Sequence, residues 1–310
     1  MTSFNRGALA LLLSGTALAL PGIAQAQEAA HGGLDEILVT AERREQSLQD
    51  VPISATVLTG ADLEKRGVTN INDIQQVAPS IAINTFNRST FINIRGVGIA
   101  QSAPTSNPGV AYYIDGQLIP HEQFIGHSFY DIASMEVLRG PQGTLTGQNS
   151  TGGAIYVRTP APEMDATFAI GDLTVGNYDR LRGVLAANLG GQDAAVRIAY
   201  IHEQRDSYTK NISARAQSQP GNLNMDAVRA SFRFIGADGK LTVDLRGEYF
   251  NVQTDNNAVK RRGDTVSTNP FEIQEDGRSY QNQVGYRIGA EAKYELSDAV
   301  AVRGMVSWQD

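Results

Sequence analysis

The feature that most constrains the fold is a glycine-rich run that follows a short hydrophobic segment, at residues 131–157. Apolar residues with polar neighbours open the run, as a half-buried strand requires: Ile132, Met135 and Val137. Gly140-Pro141 ends this strand, because proline cannot donate to a sheet ladder. Further glycines follow, and without a Cβ they permit positive φ and close packing. The run therefore predicts a strand that leads into a tight, rigid loop.

A phosphate-binding loop is the main alternative interpretation of this run. Such a loop needs the pattern G-x-x-x-x-G-K-[ST], whereas Gly147 is followed by Gln148 and no lysine lies between Arg139 and Arg158. The glycines at residues 96–98 lack the third glycine of a dinucleotide fingerprint. The sequence therefore argues against nucleotide binding.

The N-terminus has the pattern of a secretory signal peptide. Arg6 precedes an apolar run at residues 8–20, and an Ala-Gln-Ala ending places the cleavage site after Ala26. The run is too short for the roughly 20 apolar residues of a membrane-spanning helix. We therefore expect residues 1–26 to be a signal peptide and the mature protein to be exported.

Composition argues against several classes of function. The chain has no cysteine, which excludes a disulfide framework and makes a structural zinc site implausible. No metal-ligand spacing relates the four histidines, which are His31, His121, His127 and His202. The net charge of −7 argues against nucleic-acid binding. No pair of carboxylates stands out as acid and base, so we expect neither an enzyme nor a cofactor.

A short extended segment follows the predicted cleavage site. Two acids precede an aliphatic run in this segment, which consists of Asp35, Glu36, Ile37, Leu38, Val39 and Thr40. Such a segment suits strand addition to the sheet edge of another protein, where main-chain hydrogen bonds provide the affinity. The alternative is an ordinary first strand of the domain that follows.

Residues 51–160 are predicted to form a small α+β domain. The pattern predicts a strand at 51–58, a helix at 59–66 capped by Thr59, a second helix at 71–77, and strands at 81–84 and 91–95. Asp115-Gly116 lies between hydrophobic runs and predicts a hairpin at 110–119.

Strict alternation of apolar and polar residues begins near Thr167. One example is Val228, Ala230, Phe232 and Phe234, which alternate with Arg229, Ser231 and Arg233. The same period fits a soluble β-sandwich and a membrane barrel, but strands of about 9–11 residues with Tyr or Trp near their ends favour the barrel. We expect about seven strands, with the charged face lining a wet lumen, and a chain that is a fragment of a longer protein.

The glycine-rich run resembles the plug-domain signature of TonB-dependent outer-membrane receptors, which are gated transporters. V-P-I-S-A-T-V-L, F-I-N-I-R-G and Y-Y-I-D-G match further plug segments in order, so the resemblance covers roughly residues 34–159. Thr146 stands where an aromatic residue is common. The resemblance implies a linker with a TonB box at 27–50 (the box at about 35–41), a plug at 51–160 and the start of a transmembrane antiparallel β-barrel at 166–310. It also implies plug turns at Gly96, Gly116, Gly140, Gly143, Gly147, Gly152 and Gly153.

By the same resemblance, the expected partners are TonB, a scarce nutrient and outer-membrane lipid of a Gram-negative bacterium. A ferric siderophore is the commonest cargo of the family, and a carbohydrate, cobalamin or another organic nutrient is the alternative.

No extra domain precedes the TonB box, which argues against signalling. A passive porin-like barrel and an exported β-sandwich binding module are hypotheses from other classes.

Two sets of site residues follow from these expectations. In the resembled family, plug arginines at these motifs pair with barrel glutamates, which implies a plug–barrel lock among Arg95, Arg139, Glu248 and Glu291. His121 and His127 are candidate contacts for a ferric ligand, and solvated loop residues are the alternative interpretation of both.

Overall fold

The computed structural model describes residues 38–39, 46–47, 54–86, 89–98, 107–143, 149–255, 259–297 and 299–310. The predicted signal peptide, Thr146 and all of the predicted TonB box except Leu38 and Val39 lie outside the described residues. No helix in the described part of the chain is long and apolar enough to cross a membrane.

The N-terminal part of the described chain is an α+β domain. Its helices are α1 (Gly60–Lys65) and α2 (Ile74–Val77), and single 3-10 turns lie at Ile71–Asp73 and Glu122–Phe124. Its strands are β1 (Leu38–Val39), β2 (Gln46–Ser47), β3 (Ser54–Thr59), β4 (Ile81–Phe86), β5 (Ser89–Ile94), β6 (Val97–Gly98), β7 (Val110–Ile114), β8 (Gln117–Leu118), β9 (Ser134–Arg139) and β10 (Gly153–Arg158).

Local sequence signals explain most of these elements. Thr59 and Asp62 form a reciprocal capping box at the start of α1, each side chain accepting from the other's backbone N–H at 3.1 Å. Asp115 and Gly116 adopt φ of 49° and 78° and join β7 to β8, as the Asp-Gly signal predicts. The predicted helices and hairpin are therefore present.

Two sheets enclose the core of the domain. β3, β9, β10, β7 and β8 form one sheet in that order, in which β10 and β7 are parallel, and β4, β5 and β6 form the other. Their apolar residues meet in one buried cluster that includes Ile71, Ile74, Ile94, Met135, Val137 and Ile155. This packing fixes the positions of β9 and β10, the two strands to which most of the glycine-rich run belongs or connects.

Seven long strands form a second, antiparallel sheet in which consecutive long strands are neighbours. They are β11 (Thr167–Gly176), β12 (Arg180–Gly190), β13 (Ala194–Arg205), β15 (Leu223–Gly236), β16 (Leu241–Asp255), β18 (Tyr280–Ser297) and β19 (Val300–Gln309). The two remaining strands, β14 (Lys210–Asn211) and β17 (Glu272–Ile273), pair in parallel and join the two long connections. The predicted number of strands is confirmed.

The long sheet exposes its apolar face and covers its charged face. Leu185 is 61% exposed and Val306 is 69% exposed, whereas Arg197, Glu203 and Arg229 on the opposite face are 3–5% exposed. A soluble sandwich would bury the apolar face instead. This distribution is typical of a membrane barrel with a polar interior.

Four of the predicted turn glycines have a positive φ: Gly96 (81°), Gly116 (78°), Gly140 (100°) and Gly153 (146°). Gly152 is required for a different reason, since a Cβ there would lie 2.7 Å from the Val97 carbonyl oxygen. Gly143 has open space around it, and Gly147 lies outside the described residues. The predicted turn glycines therefore serve different purposes.

Replacement of Gly153 by alanine is expected to destabilise the α+β domain by on the order of 2–4 kcal/mol. The new Cβ would lie 2.2 Å from the Leu138 carbonyl oxygen, in a backbone conformation with φ of 146°. Gly143→Ala is the matched control and should change stability by less than about 0.5 kcal/mol. Thermal unfolding of the intact protein in detergent measures both, and equal effects of the two variants would contradict the prediction.

Candidate functional site at the contact between the domain and the sheet

Three arginines from neighbouring strands of the long sheet hold one segment of the α+β domain, residues 129–131. Arg182 Nη2 donates to the Phe129 carbonyl oxygen at 2.7 Å, and Arg229 Nη2 donates to the carbonyl oxygens of residues 130 and 131 at 3.0 and 2.8 Å. Arg197 donates to both carboxylate oxygens of Asp131, at 3.0 and 2.6 Å. We refer to Arg182, Arg197 and Arg229 as the arginine clamp.

Asp131 is the charged centre of this contact. Its side chain is 4% exposed, and its backbone has a φ of 48°, in the left-handed region. A non-glycine residue keeps such a conformation only where its surroundings determine it strongly. The two-pronged ion pair with Arg197, together with Arg229 Nη2 at 3.7 Å, provides that constraint.

Glu248 on β16 is at the centre of a second group of polar contacts, next to the arginine clamp. Its Oε1 accepts from the Tyr130 hydroxyl at 2.5 Å and lies 3.5 Å from Arg229 Nη1, while Oε2 pairs with Arg287. The Arg229 guanidinium also lies 4.5 Å from the centre of the Tyr130 ring. Burial, with the Glu248 carboxylate beside it, raises the pKa of Tyr130 well above its usual value. The phenol therefore stays protonated and serves as a donor to Glu248.

The hairpin turn provides a third contact with the long sheet. Asp115 accepts hydrogen bonds from the Thr159 backbone N–H at 2.8 Å and from the Thr159 hydroxyl at 2.9 Å. Its Oδ2 also lies 3.8 Å from Arg246 Nε on β16. Carboxylates of the domain thus face arginines of the sheet at two separate places.

The residues of the predicted lock have different partners from those predicted. Arg139 donates to the Ser80 and Ser54 hydroxyls at 2.7 and 3.1 Å and to Thr56, and Arg95 lies 3.5 Å from Ser54. Glu291 pairs with Arg303 on the adjacent strand at 2.7 Å. Among the described residues, neither plug arginine reaches Glu248 or Glu291, because both arginines lie beside the hydroxyl groups of their own domain. Burial and the nearby Arg95 lower the pKa of Arg139.

The two candidate ligand histidines have different environments. His127 is half-buried, with its ring 4.2 Å from that of Phe250 and its Nε2 3.5 Å from Gln283 Oε1. Burial lowers the pKa of His127 to about 4, so the ring is neutral at pH 7. His121 is exposed beside Phe124. Both lie near the end of the sheet that carries the long connections, since Gln283 is close to the start of β18.

No group of three or more metal-ligating side chains that could hold a metal ion lies in the described ranges. The polar contacts of the site are hydrogen bonds and ion pairs that join the α+β domain to the charged face of the long sheet. In this protein a globular domain is fixed to the polar face of an antiparallel sheet whose apolar face is exposed. This arrangement defines the class of plugged membrane barrels.

Comparisons with known proteins agree with this class. Residues 47–154 match the family model of the TonB-dependent Receptor Plug Domain. The pesticin receptor of Yersinia pestis is 33% identical over 148 residues, covering 47% of this chain and 22% of that protein. The vitamin B12 transporter BtuB of Vibrio vulnificus is 26% identical over 302 residues, covering 88% of this chain and 46% of that protein.

A solved structure has a similar fold. The ferric yersiniabactin uptake receptor FyuA from Yersinia pestis superposes with a TM-score of 0.73 at 21% identity, covering 83% of this chain and 40% of that chain. The present chain therefore spans less than half of the length of each of these relatives. The match over residues 47–154 identifies the α+β domain as a plug domain of the TonB-dependent receptor family.

Proposed function

We propose that this protein is an energised transporter of the bacterial outer membrane, with a ferric siderophore as its cargo. The observation that carries the proposal is the plug held against the charged face of the strands by Arg182, Arg197 and Arg229. A passive porin has no need of a domain anchored in this way. A plug that fills the lumen requires a source of energy before cargo can pass.

The segment at Asp35, Glu36, Ile37, Leu38, Val39 and Thr40 is the proposed TonB-binding site. Its described part, Leu38–Val39, adopts a strand conformation and pairs with Gln46–Ser47. This conformation supports strand addition to TonB, where main-chain hydrogen bonds would provide the affinity. TonB and its inner-membrane complex would then pull on the plug.

The named activities of relatives support the choice of cargo. FyuA is described as an uptake receptor for ferric yersiniabactin, whereas BtuB is described as a transporter of vitamin B12. We therefore keep cobalamin, a carbohydrate or another organic nutrient as the alternative to a ferric siderophore. His121 and His127 are the proposed ligand contacts, because they lie near the end with the long connections, which in membrane barrels faces outward.

Uptake of radiolabelled ferric siderophores by iron-starved cells tests this proposal. A strain that lacks the gene should lose uptake of at least one siderophore, and the intact gene should restore it. Uptake of labelled cobalamin and oligosaccharides by the same strains serves as the comparison. Loss of cobalamin or oligosaccharide uptake, with every siderophore still taken up, would contradict the proposed cargo.

Passive diffusion is tested by collapsing the proton gradient with an uncoupler. Energised uptake should stop, while surface binding of the cargo should persist. Uptake that continues at the same rate would favour a porin-like barrel.

A further inference from the structure

Most arginines on the charged face of the long sheet form ion pairs with carboxylates of the sheet itself. These pairs are Glu203 with Arg180 and Arg182, Glu248 with Arg229 and Arg287, Asp244 with Arg233, and Glu291 with Arg303. Arg197 and Arg246 differ, since their ion pairs in the described part of the chain are with carboxylates of the plug, Asp131 and Asp115. The plug therefore supplies counter-charges that this part of the sheet does not provide.

Strand register places Arg197 and Arg246 at the same level of the sheet. Both are register partners of Ser231 on β15, the strand that lies between β13 and β16. Neighbouring strands are about 4.8 Å apart, so the strands of the two arginines are separated by roughly 10 Å. We refer to Arg197 and Arg246 as the basic level.

Arg197 is positioned to hold a carboxylate. Its Nε and Nη2 donate to the two carboxylate oxygens of Asp131 at 3.0 and 2.6 Å, which is the two-pronged geometry of guanidinium–carboxylate recognition. The guanidinium also lies 5.5 Å from the centre of the Phe168 ring, and the side chain is 6% exposed. A buried guanidinium needs an anion to offset its desolvation. The site therefore recognises a carboxylate, which Asp131 provides while the plug is in place.

Neither plug carboxylate is an ideal occupant of the basic level. Asp131 holds its position with a φ of 48°, a conformation that costs energy for a residue with a side chain. Asp115 Oδ2 lies 3.8 Å from Arg246 Nε, which is too far for a hydrogen bond, and this buried nitrogen has no hydrogen-bond partner among the described residues. A carboxylate that is free of the backbone can therefore bind these arginines without such constraints.

We propose that the basic level is an anion-binding site, which Asp131 and Asp115 fill while the plug is in place and the carboxylates of an anionic ferric chelate fill during passage. Movement of the plug away from this wall would leave Arg197 and Arg246 without an ion pair from the described strands. An anionic cargo replaces the lost carboxylates as it passes, whereas a neutral chelate does not. The anion site rests on the contacts above, and its use by the cargo rests on the proposed transport function.

The substitution Asp131→Gly tests the anion site, because glycine adopts a positive φ freely and removes only the carboxylate. Citrate is the probe, titrated calorimetrically into the intact receptor in detergent at constant ionic strength. The glycine variant should bind citrate at least about tenfold more tightly than the wild type, in which Asp131 occupies the site. Addition of Arg197→Gln to this variant should abolish the gain.

Asp172→Gly is the matched control for this titration. Asp172 also pairs with an arginine of the clamp, Arg182, but its side chain is 60% exposed and Arg182 keeps its second partner, Glu203. This variant should bind citrate as weakly as the wild type. Equal binding by Asp131→Gly and the control would overturn the anion site, and so would a gain that persists after Arg197→Gln is added.

Refolding in the presence of citrate replaces the titration if Asp131→Gly does not assemble. Assembly that citrate restores would support the site, and assembly that citrate does not restore would contradict it.

The uptake experiment described above tests the use of this site by the cargo. Its siderophores include ferric citrate as an anionic chelate and ferrichrome as a neutral one. Uptake that depends on the gene should be confined to anionic chelates, and dependence of the neutral chelates alone would overturn this assignment. If uptake of no siderophore depends on the gene, the proposed function fails, whereas the citrate titration still decides whether the anion site exists.

Discussion

Deletion of residues 35–40 is expected to abolish energised uptake while leaving binding of the cargo at the cell surface unchanged. The deletion leaves in place the plug residues that contact the barrel, which include residues 115, 127 and 129–131. Its proposed role is to pair with TonB through main-chain hydrogen bonds. Uptake of labelled cargo should fall to the level of a strain without TonB, and whole-cell binding at 4 °C should match that of the wild type.

A pair of substitutions at Val39 makes this prediction sharper. Val39→Pro removes a backbone donor and should reduce uptake strongly, because proline cannot complete the ladder with a partner strand. Val39→Ala keeps the donor and is the matched control, with uptake close to that of the wild type. If the deleted or proline-substituted receptor still takes up cargo at the normal rate, the segment is not the coupling site.

Replacement of Arg229 by alanine is expected to release the plug segment at residues 129–131. The arginine donates to two plug carbonyl oxygens and lies near the carboxylates of Asp131 and Glu248, so its loss leaves two acceptors without this donor and removes one of the two arginines beside each buried carboxylate. Removal of one partner from a buried ion pair costs on the order of 3–5 kcal/mol. Hydrogen exchange of the backbone amides in this segment should then become at least about a hundredfold faster.

Arg303→Ala provides the control for this prediction. Arg303 also pairs with a glutamate, Glu291, but its side chain is 46% exposed and it belongs to the same sheet as its partner. Exposed pairs contribute less than about 1 kcal/mol, so exchange at residues 129–131 should stay as in the wild type. Exchange that is equally slow in both variants would show that the arginine clamp does not hold the plug.

Much of the fold could be predicted because its signals are local. The alternation around Arg229 depends only on neighbouring residues and determines which face of β15 is charged. The same holds for the capping box of Thr59 and Asp62 and for the Asp115-Gly116 turn. Each of these signals lies within one element or one turn, where backbone geometry alone fixes the outcome.

The contacts between plug and barrel depend on docking and could not be predicted in the same way. Asp131 and Arg197 are 66 residues apart, and nothing near either residue distinguishes this arginine from others on the charged face. The pairing predicted for Arg139 assumed that plug arginines face barrel glutamates, whereas at Asp131 and Asp115 the charges are reversed. One signal in the sequence could have indicated the docking site: arginines occur on the inward face of three strands that are neighbours in the sheet, β12, β13 and β15.

The parallel pair of β14 and β17 was also absent from the predictions. Each strand has only two residues and lies in a long polar connection, so neither shows alternation. Their pairing depends on side-chain contacts such as Asn211 Nδ2 donating to the Glu275 carbonyl oxygen at 2.8 Å. Contacts of this kind follow from the position of the two loops and not from a local pattern.

The opposed faces of the long strands also limit how such a sequence can change during evolution. A single-residue insertion in β13 just before Arg197 would move Arg197 to the lipid side and Ile198 to the lumen, and would exchange the faces of the remaining residues of that strand. Insertions of any length in the connection between β13 and β15 leave both faces intact. Length variation among descendants of this gene should therefore collect in the connections, while the strands change by substitution alone.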